Sequence, residues 1–149
     1  LAYRLARRGL RFVFNPDAVG YHYAERSFSA WLQIPYIYGR HDVIFTRDKG
    51  QDWLLPALWT EYVHARNPLI RGLVQLCLDR PWLAGPAIRL LRLCAGLGDR
   101  LGSEKITRAA YSGIFNLRHY QGIADELGGR RAFFAGVAAA RTRIGRSAA

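Results

Sequence analysis

The placement of proline and glycine after residue 52 restricts this chain more than any other feature. Pro68, Pro81, the Gly85-Pro86 pair and the Gly128-Gly129 pair divide the second half into apolar runs that carry arginine. Proline suits the first turn of a helix, where its missing N–H has no intrahelical partner in any case. Glycine ends a helix by taking the left-handed conformation that other residues avoid. The pattern predicts one helix over about 53–65 and a second from Pro68 to Asp79. A third starts at Pro81 and is interrupted at Gly85 and Pro86, and a fourth runs from a Ser103 cap to Leu127. The last covers Arg131 to about Arg143, followed by a tail, "GRSAA", expected to fray.

The first half reads differently. "LAYRLARRG" has the form of a helix end, with Leu1 and Leu5 on one face and Gly9 placed to cap it. "LRFVF", residues 10–14, is composed of strand formers. "NPDA" is a turn, because Pro16 presets its own φ and Asn15 and Asp17 can bond nearby backbone. "VGYHY", residues 19–23, reads as a second short strand. Phe28, Trp31, Leu32 and Pro35 then follow at helical spacing after Ser27, a good N-cap, and Pro35 is expected to kink or divide that helix. The polar stretch 46–52 is the expected subdomain boundary. The chain contains no Met and opens on what reads as a helix interior, which suggests the back part of a larger protein.

The formal charge is +11, with +4 in residues 1–75 and +7 in residues 76–149, so the basic excess leans toward the C-terminal half. All the basic residues except Lys49 and Lys105 are Arg. Such a balance points to an anionic partner: phosphate, nucleic acid or an acidic membrane surface. Nucleic acid is disfavoured, since no helix-turn-helix, RNP-like or zinc-finger pattern occurs and the Arg residues are spread among apolar ones. Cys77 and Cys94 stand alone and read as apolar residues of a reducing compartment. No apolar run approaches the roughly 18 residues that a spanning helix requires.

A helix ending "YRLARRG", then "LRFVF", "NPDA", "VGYHY" and an aromatic helix ending "YGR" resembles the C-terminal part of the catalytic domain of family 2 glycosyltransferases. The resemblance implies a mainly α fold with a short β-hairpin-like strand pair at the N-terminus. Residues 1–47 would be the end of an α/β, Rossmann-like GT-A domain and residues 48–149 its helical C-terminal extension. The implied activity is inverting, metal-dependent transfer of a sugar from a nucleotide-sugar donor to a glycan or lipid-linked acceptor. The base and the Asp-x-Asp motif would belong to an upstream part of the same chain, so these residues alone would be inactive. His22 would complete the coordination of a divalent metal, Mn²⁺ or Mg²⁺, on the donor diphosphate. Arg40 would bind diphosphate, and Trp31, Gln33, Tyr36 and Tyr38 would line the acceptor groove. The location implied is cytoplasmic and peripheral, at the inner face of the plasma membrane.

From the residues themselves, His22 between two Tyr also fits a packed side chain, and Arg40 fits a solvated helix-end cation. "WLAGPAIRLLRLCAGLGDRLG" is apolar nearly all round, with Arg89, Arg92 and Arg100 interspersed. It fits a bundle helix with a charged rim. It also fits a helix on an anionic leaflet, with Arg at phosphate level and Trp and Leu below. The alternative to an enzyme is therefore a basic, amphipathic membrane-surface module.

Overall fold

The computed structural model describes residues 2–21 and 25–147. The described residues form seven helices: α1 (Ala2–Ala6), α2 (Phe28–Asp48), α3 (Leu54–His64), α4 (Pro68–Cys77), α5 (Pro81–Arg100), α6 (Glu104–Leu127) and α7 (Arg130–Ser147). Their limits follow local chemistry. The Ser27 hydroxyl accepts from the Ala30 N–H at 3.2 Å, and the Asn67 side chain accepts from the Leu69 N–H at 2.8 Å just before Pro68. Gly128 and Gly129 both take positive φ after α6, and the Gly129 N–H returns to the Ala124 carbonyl at 2.7 Å. Asp79, also at positive φ, turns the chain out of α4. Arg130 reaches back to the Gln75 and Leu78 carbonyls and so satisfies that helix end.

The predicted fold class is overturned: the described residues are helical and contain no strand. Residues 10–14 and 19–21 are irregular and exposed, and 22–23 lie outside the described residues. The turn between them does form, with the Asp17 N–H donating to Asn15 Oδ1 at 3.0 Å. It joins two arms that do not pair, since an isolated two-stranded hairpin is marginal without further strands or a packed face. Several helix expectations also change: α2 continues into the polar stretch 46–52 as far as Asp48, and α7 runs to Ser147 past its expected end near Arg143. α2 runs unbroken through Pro35, which is buried, and Arg118 of α6 donates to the Leu32 carbonyl in the same stretch at 3.2 Å. α5 runs unbroken through Gly85 and Pro86. There the proline lies on an exposed face, where water can meet the carbonyl it leaves unpaired.

α6 is the centre of the bundle, and α2 and α5 make the most extensive contacts with it. α4 and α7 pack on it too, while α3 rests on α7. The main core joins Val43, Trp59, Tyr62, Val74, Leu78, Tyr120, Ile123, Phe133 and Val137. Its aromatic rings meet edge to face: Tyr62 with Tyr120 at 5.0 Å, and Phe133 with Trp59 at 5.0 Å and with Tyr62 at 5.5 Å. Burial pushes the Tyr120 phenol up to about 12. Among the described residues its hydroxyl and the neighbouring Arg66 Nε are buried without a hydrogen bond of good geometry.

The α2–α6 crossing is made by glycine. A Cβ at Gly39 would fall 2.0 Å from the His119 carbonyl oxygen, and one at Gly122 would fall 2.0 Å from the Tyr36 carbonyl oxygen. The two backbones touch, and no side chain fits between them. Gly122→Ala is therefore expected to destabilise the fold by about 3 kcal/mol or more in urea titration. Gly72→Ala, in a helical position that opens on free space, should instead stabilise by about 0.5–1 kcal/mol.

Candidate functional site

Two surfaces carry the polar and cationic side chains that sequence reasoning singled out. The first is the seam between α2 and α6. The Tyr36 hydroxyl donates to Asp125 Oδ2 at 2.8 Å, and that bond, which needs the proton, raises the phenol above its usual range. Arg118 lies over the Tyr36 ring, 4.7 Å from its centroid. Glu126 takes one arginine on each oxygen, Arg40 at 2.9 Å and Arg47 at 3.2 Å. Those cations hold its carboxyl below the usual carboxylate range. His119 Nε2 meets Asp42 Oδ2 at 2.8 Å in a partly buried pair.

The five α2 residues predicted to bind substrate divide accordingly. Tyr36 and Arg40 are engaged in the seam. Gln33 and Tyr38 are exposed. Trp31 packs edge-on against Tyr111 at 5.7 Å and, with Arg26 and Phe28, lines a surface hollow. His22 lies outside the described residues. Among the described residues, no group of three or more His, Cys, Asp or Glu is placed to hold a metal ion. The seam partners Asp125 and Glu126 escaped the sequence reading, although one signal was present. Two acids in the last turn of a helix oppose its dipole unless cations from elsewhere meet them.

The second surface is the outer face of α5. Its inner face, through Ala84, Ala95 and Gly98, is buried. Gly98 lets α5 approach the start of α6, where the Thr107 hydroxyl bonds the Ala95 carbonyl at 3.3 Å and Asp99 at 2.9 Å. The opposite stripe, at helical spacing, holds Trp82, Leu90, Leu93, Leu97 and Leu101. These are large apolar side chains left in solvent, with Trp82 70%, Leu93 66% and Leu97 55% exposed. Arg89, Arg92 and Arg100 are exposed beside them. No ion pair reaches these three among the described residues. Asp99, the lone acid of α5, is occupied by Thr107. Arg92 is steadied across the α2 start, its guanidinium 4.4 Å from the Phe28 ring centroid. No helix among the described residues is long and apolar enough to cross a membrane.

No protein-family model matches the chain, nor does any curated protein or solved structure. These comparisons lend no support to the resemblance to glycosyltransferases.

The seam has a pH signature. The Glu126 carboxyl is held below its ordinary value of 4.5, so its contribution is present above that value and is lost as the pH falls through the folded value. Glu126→Gln should cost about 1 kcal/mol or less in urea stability at pH 7, as expected for partly exposed pairs. The gap from wild type should narrow as the pH is lowered below 4.5.

Proposed function

We propose that this chain is a membrane-surface module that lays the outer face of α5 along an anionic bilayer. The observation that carries this reading is the coexistence on one face of solvent-exposed Trp82, Leu93 and Leu97 with Arg89, Arg92 and Arg100, which no ion pair reaches among the described residues. Leu and Trp gain by leaving water, at about 25 cal/mol per Å² of apolar surface removed. The guanidinium groups gain about 1 kcal/mol each near an anionic leaflet. A second copy of the chain would bring the same three arginines against one another, so the charge favours lipid over self-association. The absence of a spanning helix among the described residues is compatible with attachment from one side.

A second reading places this module in a family 2 glycosyltransferase that moves a sugar from a nucleotide-sugar donor to a glycan or lipid-linked acceptor at the cytoplasmic leaflet. It is favoured by the order of the N-terminal segments and by the exposure of Phe12, Val13, Phe14 and Tyr21. Large apolar side chains left in solvent suit burial against a second body. The gene immediately upstream of the Leu1 codon tests this reading. An Asp-x-Asp after an apolar run, with an acidic motif just before Leu1, is the expected finding; an unrelated domain there would overturn it.

The membrane reading is tested by sedimentation with vesicles. The chain should pellet with phosphatidylcholine containing 30 mol% phosphatidylserine, stay in solution with phosphatidylcholine alone, and bind less as salt rises. Replacing Arg89, Arg92 and Arg100 together by Gln should weaken binding on the order of a hundredfold. Equal binding to neutral and anionic vesicles, or none to either, would sink the proposal.

A further inference from the structure

We infer that the groove centred on Gly96 is a discrete site for the phosphate of one anionic phospholipid headgroup. This deepens the membrane-surface reading and rests on it. The groove encloses about 630 Å³ and is lined by Arg89, Arg92, Leu93, Gly96, Leu97 and Arg100. Three of those six are cations, and no acid lines it.

Gly96 is a helical glycine that packing does not explain. Gly39, Gly98, Gly113, Gly122 and Gly136 each face a neighbour that a Cβ would strike or touch, whereas Gly96 faces open space. A glycine inside a helix costs about 1 kcal/mol relative to alanine, so an open position gains nothing structural from it. Gly72 and Gly85 are open as well, but neither lines this groove. Gly96 lies one turn after Arg92 and one turn before Arg100, on the same stripe. Any side chain there would project into the groove between those two residues. Its absence keeps the floor of the groove open beside three arginines, side chains that suit bidentate contact with phosphate oxygens. Arg89 lies three turns before Arg100, about 16.5 Å along the axis, and extends the cationic rim. The Phe28 contact holds Arg92 in place before any ligand arrives.

The walls decide the source of the phosphate. Leu93 and Leu97 flank the notch and are exposed. A free phosphate or a nucleic-acid backbone has no apolar part to place against them, but the glycerol and upper acyl chains of a phospholipid do.

The experiment compares the full chain with Gly96→Leu on the phosphatidylserine vesicles described above. The substitution leaves every charge in place, adds apolar surface and improves helix propensity. Diffuse attraction to the bilayer therefore predicts binding as tight as wild type or tighter. The notch predicts binding about tenfold weaker. A second variant, Arg92→Lys with Arg100→Lys, keeps the charge and the fold but removes the forks, and should weaken binding by a similar factor. Undiminished binding by both variants would overturn the notch while leaving the membrane-surface reading intact. Failure of the wild type on anionic vesicles would overturn that reading and the site with it. Displacement of the wild type by inorganic phosphate, beyond the effect of sodium chloride at equal ionic strength, would assign the notch to free phosphate and overturn the lipid.

Discussion

The rest of the fold depends on the contact between the backbones of α2 and α6 at Gly39 and Gly122. Because each glycine faces a carbonyl of the other helix at a distance no Cβ could occupy, the two helices lie closer than side chains would allow. That approach brings Tyr36 within reach of Asp125, Arg40 and Arg47 within reach of Glu126, and Asp42 within reach of His119. The polar pairs are partly exposed, and pairs of that kind add little stability individually. Their value lies in register: a slide of α2 by one turn along α6 would break every one of them and drive a side chain into the crossing.

With α2 settled on one side of α6, the other elements take the faces that remain. α3, α4 and α7 enclose the aromatic core around Tyr62, Tyr120 and Phe133. α5 lies along another side, with Gly98 against Thr107 and Leu91 against Gly113. This uses the inner stripe of α5 and leaves the outer one, apart from the contact of Arg92 with Phe28, without a protein partner among the described residues. The Arg and Leu of that stripe are thus a product of the packing. The same helix turned half a revolution would bury Leu93 and Leu97 and present Ala84 and Ala95 to solvent.

Much of the fold was legible because helix ends are written in local chemistry. Ser27, Pro68, Pro81 and Gly128 act within a turn of their own positions, so their effect on the backbone does not wait for tertiary contacts. The misjudged elements were those whose outcome depends on distant residues. Strand formers at 10–14 become a strand only beside a partner strand, and none is present among the described residues. Pro86 breaks a helix only if the carbonyl it strands cannot be satisfied, and solvent access decides that. The polar seam was hidden because His119 and Asp42 are far apart in sequence, and nothing in the spacing of either residue announces the other.

The sequence by itself determined where most of the helices start, and the basic, amphipathic character of α5, since these follow from propensity, capping and composition within a few residues. Only the tertiary structure decided which stripe of α5 is buried. A run that is apolar nearly all round has no preferred face until a neighbour removes one from water. The crossing at Gly39 and Gly122, and the position of α5 beside it, made that choice, and so left Arg89, Arg92, Arg100 and the Gly96 notch facing outward.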